Sequence, residues 1–380
     1  MKILSYILIL FNSLIFLTNA LSQEQSLFKG QLSSYSHFNS GNELPWWNGI
    51  RYIPQVNFFI PAGENHLIDF EGSANIYGNL GLKDFKNTDS NGDIKPYRFW
   101  ARYSANQFEL RAGLQKINFG SASLLRPLMW FDQVDPRDPL QLTDGVWGVL
   151  GRYYFLNNVN IWLWGLYGNN NTKGWEVIPT RKNVPEAGGR LQVPAGSGEA
   201  ALTYHYRTAD SRQLPEAEIQ FERIPENRLG FDARFDNIIG YWFEATWKNL
   251  GKQMGLLTNQ EIFNIGADYT FNVGNGLTVI CEQLLAASGE KPFEFNENAT
   301  FSLLNASYPI GMFDRLNYIV YFDWENSSAY NFLNWQKQFN HFTLYMIGYI
   351  NPKKYNVPLQ HSSEITFAGK GLQLLFVFNH

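Results

Sequence analysis

The chain has 380 residues, a formal net charge of −4 and a single cysteine, Cys281. The scattered charges argue against nucleic-acid binding, and one cysteine excludes an intramolecular disulfide bond. Aromatic residues make up 16% of the chain, yet the mean hydropathy is −0.26. This combination predicts strands with one apolar face and one polar face.

The first residues have the pattern of a secretory signal peptide. Lys2 precedes an apolar run over residues 3–17, and small residues follow at the positions that a signal peptidase reads, with cleavage expected after Ser22. A membrane anchor is the weaker interpretation, because the apolar run is short and is interrupted by polar residues. The sequence therefore predicts a signal peptide at 1–22 and one exported domain at 23–380.

Side chains alternate between apolar and polar along most of that domain. In residues 97–104, Tyr97 and Phe99 are predicted to lie on one face and Arg98 on the other. In residues 228–236, the alternation predicts that Phe231 faces lipid and that Gly230 faces water. A period of two is typical of strands, because successive side chains leave a strand on opposite faces.

The lengths of the connectors between strands distinguish between two all-β folds. A soluble β-sandwich would show the same alternation, but here long connectors such as 80–94 and 169–186 alternate with short ones such as 105–106. Outer-membrane barrels combine short periplasmic turns with longer extracellular loops in this way. We predict an all-β fold, a transmembrane antiparallel up-and-down β-barrel of roughly 16–18 strands. The least regular candidate strands are 187–194 and 329–338.

The last strand supports this prediction. In "KGLQLLFVFNH" four apolar residues share one face: Leu372, Leu374, Phe376 and Phe378. The pattern resembles the C-terminal signal that the outer-membrane assembly machinery recognises, although Asn379 and His380 follow the final aromatic residue.

The chain resembles Gram-negative outer-membrane porin-type barrels. Within it, "LRAGLQKINFG", with Gly113, Gln115 and Gly120, leads into a long loop and is similar to the alginate-export and related porin-like barrels. This resemblance implies a location in the outer membrane of a Gram-negative bacterium, among its lipid and lipopolysaccharide. It also implies that small polar or charged solutes pass through the barrel.

The loop at 118–144 is the candidate functional element, and by strand counting it is the third extracellular loop. In porins the corresponding loop folds into the lumen, and here prolines stiffen a loop with four acids: Asp132, Asp135, Asp138 and Asp144. We expect Arg137 to bridge acids within the loop. Five arginines are predicted on the luminal faces of strands, opposite the acids: Arg98, Arg102, Arg111, Arg152 and Arg234. The loop is either a constriction or a closed plug.

Three functions are weighed against this arrangement. The first is a channel for passive diffusion or export of small polar or charged solutes or saccharides. The alternative is a non-conducting barrel that serves as an assembly or anchoring component of an export system. An outer-membrane phospholipase is the least favoured, since no serine and histidine pair is evident around His205 or His341. The histidines have no metal-binding spacing, and we expect no metal and no cofactor.

Overall fold

The computed structural model describes residues 27–83, 87–212, 220–353 and 367–380. These residues form one 18-stranded sheet in which each strand pairs antiparallel with its sequence neighbours, and β1 pairs with β18 to close it. The predicted up-and-down barrel is confirmed, at the upper end of the expected strand number. The predicted signal peptide, 1–22, lies outside the described residues.

The strands are β1 (Phe28–Asn39), β2 (Trp46–Gly63), β3 (His66–Leu82), β4 (Thr88–Ser104), β5 (Phe108–Gln115), β6 (Val146–Tyr154), β7 (Asn160–Leu166), β8 (Glu186–Ala195), β9 (Gly198–Ala209), β10 (Ile224–Asp236), β11 (Gly240–Leu250), β12 (Asn259–Phe271), β13 (Leu277–Gly289), β14 (Glu297–Pro309), β15 (Asp314–Asp323), β16 (Ser328–Gln338), β17 (Phe342–Ile350) and β18 (Lys370–Asn379). The irregular candidates at 187–194 and 329–338 correspond to β8 and β16. No helix in the described ranges is long and apolar enough to cross a membrane.

The two faces of the sheet differ in the way that the alternation predicts. On β11, Tyr241 and Phe243 are exposed, whereas Trp242 and Glu244 between them are buried. On β18, Leu372 and Leu374 are exposed and Gln373 is buried. We call the exposed apolar side the outer face and the opposite side the inner face.

Connector lengths also alternate around the barrel. At one end β2 and β3 are joined by two residues, 64–65, and β8 and β9 by 196–197. At the other end lie longer segments, including the third loop (116–145) between β5 and β6 and the fourth loop (167–185) between β7 and β8. The predicted long loop at 80–94 is shorter than expected, because β3 continues to Leu82 and β4 begins at Thr88.

A β-bulge reverses one predicted orientation in β4. The register with β3 shifts between Ser73, which pairs with Arg98, and Ala74, which pairs with Pro96, so Tyr97 is an extra residue. Such an insertion changes which face the following side chains occupy. Tyr97 therefore does not share the outer face with Phe99, and it lines an internal cavity with other inner-face residues.

Candidate functional site

The third loop is held by carboxylates that project from the inner face of the barrel. Glu282 on β13 accepts hydrogen bonds from the backbone amides of Ser123 (2.8 Å), Leu124 (3.1 Å) and Leu125 (2.6 Å). Glu244 on β11 accepts those of Ala122 (2.8 Å) and Leu128 (3.1 Å). Loops carry backbone donors that need partners when they are buried. These two acids supply the partners and fix residues 122–128 against the strands.

Apolar side chains of the third loop pack on two parts of the inner face. Trp130 and Phe131 form one buried cluster with Trp164 of β7 and its neighbours. Leu125 belongs to a second cluster that includes Tyr321 of β15. Since β7 and β15 are far apart in the strand order, the loop extends between distant parts of the barrel wall.

Gly230 shows how closely the third loop is packed. It lies on the inner face of β10, as predicted, but the space beside it is not open to water. A Cβ atom added there would lie 2.3 Å from Cδ2 of Leu128 and 3.1 Å from Cζ2 of Trp130. The expectation that Gly230 faces water is therefore wrong, because the loop occupies that position.

The fourth loop is attached to the inner face by a buried ion network. Glu176 is 2.7 Å from Arg228 and 3.3 Å from Arg207, and Arg207 is in turn 2.7 Å from Glu226. Burial by itself would raise the pKa of Glu176, but Arg207, Lys173 and Arg228 outweigh it and lower that pKa to about 2. No local sequence pattern indicates this network, because its partners come from separate strands and one loop.

The five predicted arginines lie on the inner face, but four of them pair with acids of the strands. Arg111 and Arg152 are 3.1 Å and 3.5 Å from Glu109, and Arg102 is 2.5 Å from Asp69.

Arg234 lies 2.7 Å from Asp268 and 3.0 Å from Asp236. Arg98 donates to the backbone carbonyl of Thr143 (2.9 Å) in the third loop. Among the described residues, the four arginines that form ion pairs do so with strand acids and not with the loop aspartates. The pairing of neighbouring strands brings the strand acids closer to these arginines than the aspartates of the third loop are.

The acids of the third loop have separate environments. Asp132 is buried beside Arg126 (3.2 Å), whereas Asp144 pairs with Lys95 of β4 (2.7 Å). Arg137 donates from Nε to Asp135 (2.6 Å), an ion pair within the loop of the predicted kind.

Asp138 accepts the backbone amide of Leu140 (2.9 Å). Burial raises the pKa of Asp138, and nearby Asp135 raises it further. The four acids therefore differ in their partners, and among the described residues no group of three or more acids, histidines or cysteines could hold a metal ion.

A cavity of about 380 Å³ with a mixed polar and apolar lining lies between residues 133–144 of the third loop and strands β1–β4 and β18. It is lined by four of the predicted loop residues and by charged and polar residues of the strands that sequence reasoning missed: Asp135, Arg137, Asp138, Asp144, Tyr35, Arg51, Asn75, Tyr77, Asn79, Lys95 and Tyr97. Asp132 and the five predicted arginines are not among the described lining residues. Tyr97 was missed because the β-bulge of β4, which turns its side chain toward the cavity, interrupts the period-two alternation.

His205 does not have the surroundings of a hydrolase histidine. It is buried, with Trp164 donating to its Nδ1 (3.2 Å) and Glu186 lying 3.3 Å from its Nε2. Phe131 of the third loop contacts its ring edge-on. In the described residues these contacts link His205 to the barrel wall and not to a serine.

The fold is similar to solved porin structures, whereas no protein-family model and no curated protein matches the sequence. OccAB1 of Acinetobacter baumannii has a TM-score of 0.56 and 7% identity, with 95% of this chain and 98% of that chain covered. OccD3 of Pseudomonas aeruginosa has a TM-score of 0.55 and 10% identity, with 94% and 92% covered. OmpF of Salmonella typhi has a TM-score of 0.50 and 8% identity, with 93% and 97% covered.

These neighbours are Gram-negative outer-membrane porins. The fold of this chain is therefore that of the porin-type β-barrels. The narrower resemblance to alginate-export barrels stays a prediction.

Proposed function

We propose that this protein is an outer-membrane channel for passive movement of small polar or charged solutes, with the third loop inside the lumen as a constriction. The observation that carries the proposal is the cavity between residues 133–144 and strands β1–β4 and β18, whose lining includes six charged side chains. A barrel of this strand number encloses an aqueous lumen unless something fills it. The cavity is a space inside the barrel that the third loop leaves unfilled.

The attachment of the third loop supports a constriction. Its residues 122–128 are bonded to Glu244 and Glu282, so one side of the loop is fixed to the wall. The opposite side carries Asp135, Asp138 and Asp144 into the cavity. A fixed loop with charges on its open side can narrow a pore without closing it, and charges at close range act on permeating ions with little screening.

The outer face supports residence in a lipid bilayer. Large apolar residues such as Ile265 and Leu163 are more than half exposed there, and a contiguous apolar surface of this kind needs a lipid environment. We infer that outer-membrane lipid and lipopolysaccharide surround the barrel and that the assembly machinery recognises β18.

Single-channel recording in planar bilayers tests the proposal. A constricted channel gives discrete current steps with the wild-type protein. If the protein inserts fully, as judged by heat-modifiable migration on gels, but passes no current, the channel function is wrong and the non-conducting anchoring component is favoured. A variant lacking residues 134–142 then distinguishes a plug, which conducts only after the deletion, from a barrel without a pore.

A further inference from the structure

The cavity beside the third loop is electrically balanced. Its described lining includes three cationic side chains, Arg51, Lys95 and Arg137, and three acidic ones, Asp135, Asp138 and Asp144. Four of these six residues neutralise one another, since Lys95 pairs with Asp144 (2.7 Å) and Arg137 with Asp135 (2.6 Å). The remaining cation and the remaining acid are Arg51 and Asp138.

Arg51 is a cation without an ion pair among the described residues. It projects from β2, lies 5.5 Å from the centre of the Tyr77 ring, and its Nε is buried with no hydrogen-bond partner in the described structure. A buried guanidinium donor without a partner is costly, and an arginine fork matches a carboxylate in geometry. Arg51 is therefore suited to bind a carboxylate that enters the cavity.

Asp138 is the complementary group on the loop side. Its carboxylate accepts the amide of Leu140 (2.9 Å) but forms no ion pair with a described cation. Arg51 is close enough to act on the Asp138 charge, and it lowers the pKa of that group against the larger effect of burial. An ammonium group placed beside Asp138 would supply the missing counter-charge.

We propose that the cavity is a binding subsite for small zwitterionic solutes, with the carboxylate on Arg51 and the ammonium group on Asp138. Tyr77 lines the strand side together with Tyr35 and Asn79, where the Tyr35 hydroxyl donates to the Asn79 side chain (2.9 Å). A solute with a single charge satisfies only one of the two unpaired groups and leaves the other without a counter-charge, which is a basis for discrimination between solutes. The inference rests on the proposed channel function and narrows its solute class.

Three matched probes test the subsite: glycylglycine, which carries both charges, N-acetylglycine, which is only anionic, and glycinamide, which is only cationic. Each is added to the wild-type channel in a planar bilayer, and the concentration that half-blocks the ionic current is measured. We expect glycylglycine to act at a concentration at least about tenfold lower than either analogue, since two charge-assisted contacts are made in place of one.

Variants assign the effect to the two residues. Arg51→Gln and Asp138→Asn should each remove the preference for glycylglycine. The double variant Arg51→Asp with Asp138→Arg should restore part of this preference, with glycylglycine bound in the opposite orientation. Arg212→Gln is the matched control, because Arg212 is an exposed arginine that pairs with Asp210 outside the cavity. It should leave the preference for glycylglycine unchanged.

The outcomes separate this proposal from the channel function. Equal half-block concentrations for the three probes, or an unchanged preference in Arg51→Gln, overturn the zwitterion subsite while ionic current upholds the channel. If the wild type is silent, the channel function fails, and calorimetric titration of the detergent-solubilised protein with the same probes decides the subsite. Binding heat from glycylglycine that is seen with the wild type and is absent from both single variants supports the subsite. No binding heat with the wild type overturns it.

Discussion

Glu282 of β13 and Leu125 of the third loop are joined by a 2.6 Å hydrogen bond from the Leu125 amide to the carboxylate. The same carboxylate also accepts the amides of Ser123 and Leu124. One acid thus satisfies three consecutive backbone donors of a loop that would otherwise have no strand to pair with. The connection ties the loop between β5 and β6 to β13, seven strands beyond β6 in the barrel.

Replacing Glu282 should loosen the third loop. Glu282→Leu leaves three backbone amides without their acceptor, each at a cost of about 1–3 kcal/mol if it stays buried. We expect a noisier current with a higher mean conductance in planar bilayers. The control is Gln283→Leu, on the adjacent outer-face position, which does not touch the loop. An unchanged current in Glu282→Leu would contradict the anchoring role.

Removing the tip of the third loop should widen the pore. The amide of Gln133 donates to the Thr143 hydroxyl (2.8 Å), so these residues are adjacent and residues 134–142 can be replaced by two glycines. The buried anchors Trp130 and Phe131 are retained in this variant. We expect larger single-channel steps. A flexible replacement of the same length is the control, and equal steps in the wild type and the shortened variant would exclude a constriction at the tip.

Gly230 should not tolerate a side chain. In Gly230→Ala the new methyl group would lie 2.3 Å from Leu128 Cδ2 in the present arrangement, so the loop must shift. Overpacking of this kind costs about 1–3 kcal/mol. Urea unfolding in lipid vesicles measures the loss in the free energy of unfolding. Gly165→Ala is the matched control, because a Cβ atom there meets nothing within 4 Å, and equal unfolding midpoints for both variants would argue against close packing of the loop.

Phe231 tests the outer face. It is exposed in the middle of β10, directly beside Gly230, and Phe231→Arg places a charge in the hydrocarbon region of a bilayer. The expected loss is about 2–4 kcal/mol at mid-depth, measured by the same vesicle unfolding. Phe231→Leu should remain close to the wild type. Similar values for the arginine and leucine variants would show that this face is not in lipid.

The fourth loop should become less stable in acid. The folded pKa of Glu176 is about 2, below its ordinary value of 4.5, so its ionised form stabilises the folded state above pH 4.5. This stabilisation should be lost as the pH falls from 4.5 toward 2. Thermal unfolding of the wild type against pH measures it.

Glu176→Gln separates this carboxyl group from the other acids. The variant leaves Arg207 and Arg228 with less counter-charge and should be less stable at neutral pH by about 3–5 kcal/mol. It should also lose part of the pH dependence between 4.5 and 2. An unchanged pH profile in the variant would assign the acid sensitivity to other groups.

The sequence by itself determined the barrel. Period-two alternation predicted which side chains of strands such as β10 and β18 lie on the outer face, since a strand has only two faces. The alternation of short and long connectors placed the third loop between β5 and β6, and its position at the long-loop end follows from counting strands. These properties are local, and each is readable within a segment of about ten residues.

Only the tertiary structure decided how the interior is filled. Glu244 and Glu282 look like ordinary polar positions of strands, and nothing near them in sequence indicates that a loop more than 100 residues away donates to them. The bulge that turns Tyr97 inward depends on pairing with β3. The arginines lie on the inner face as predicted, but the distances between neighbouring strands determine which acids they pair with. Ion pairs and cavities depend on which segments meet in space, and a sequence pattern of period two carries no information about that.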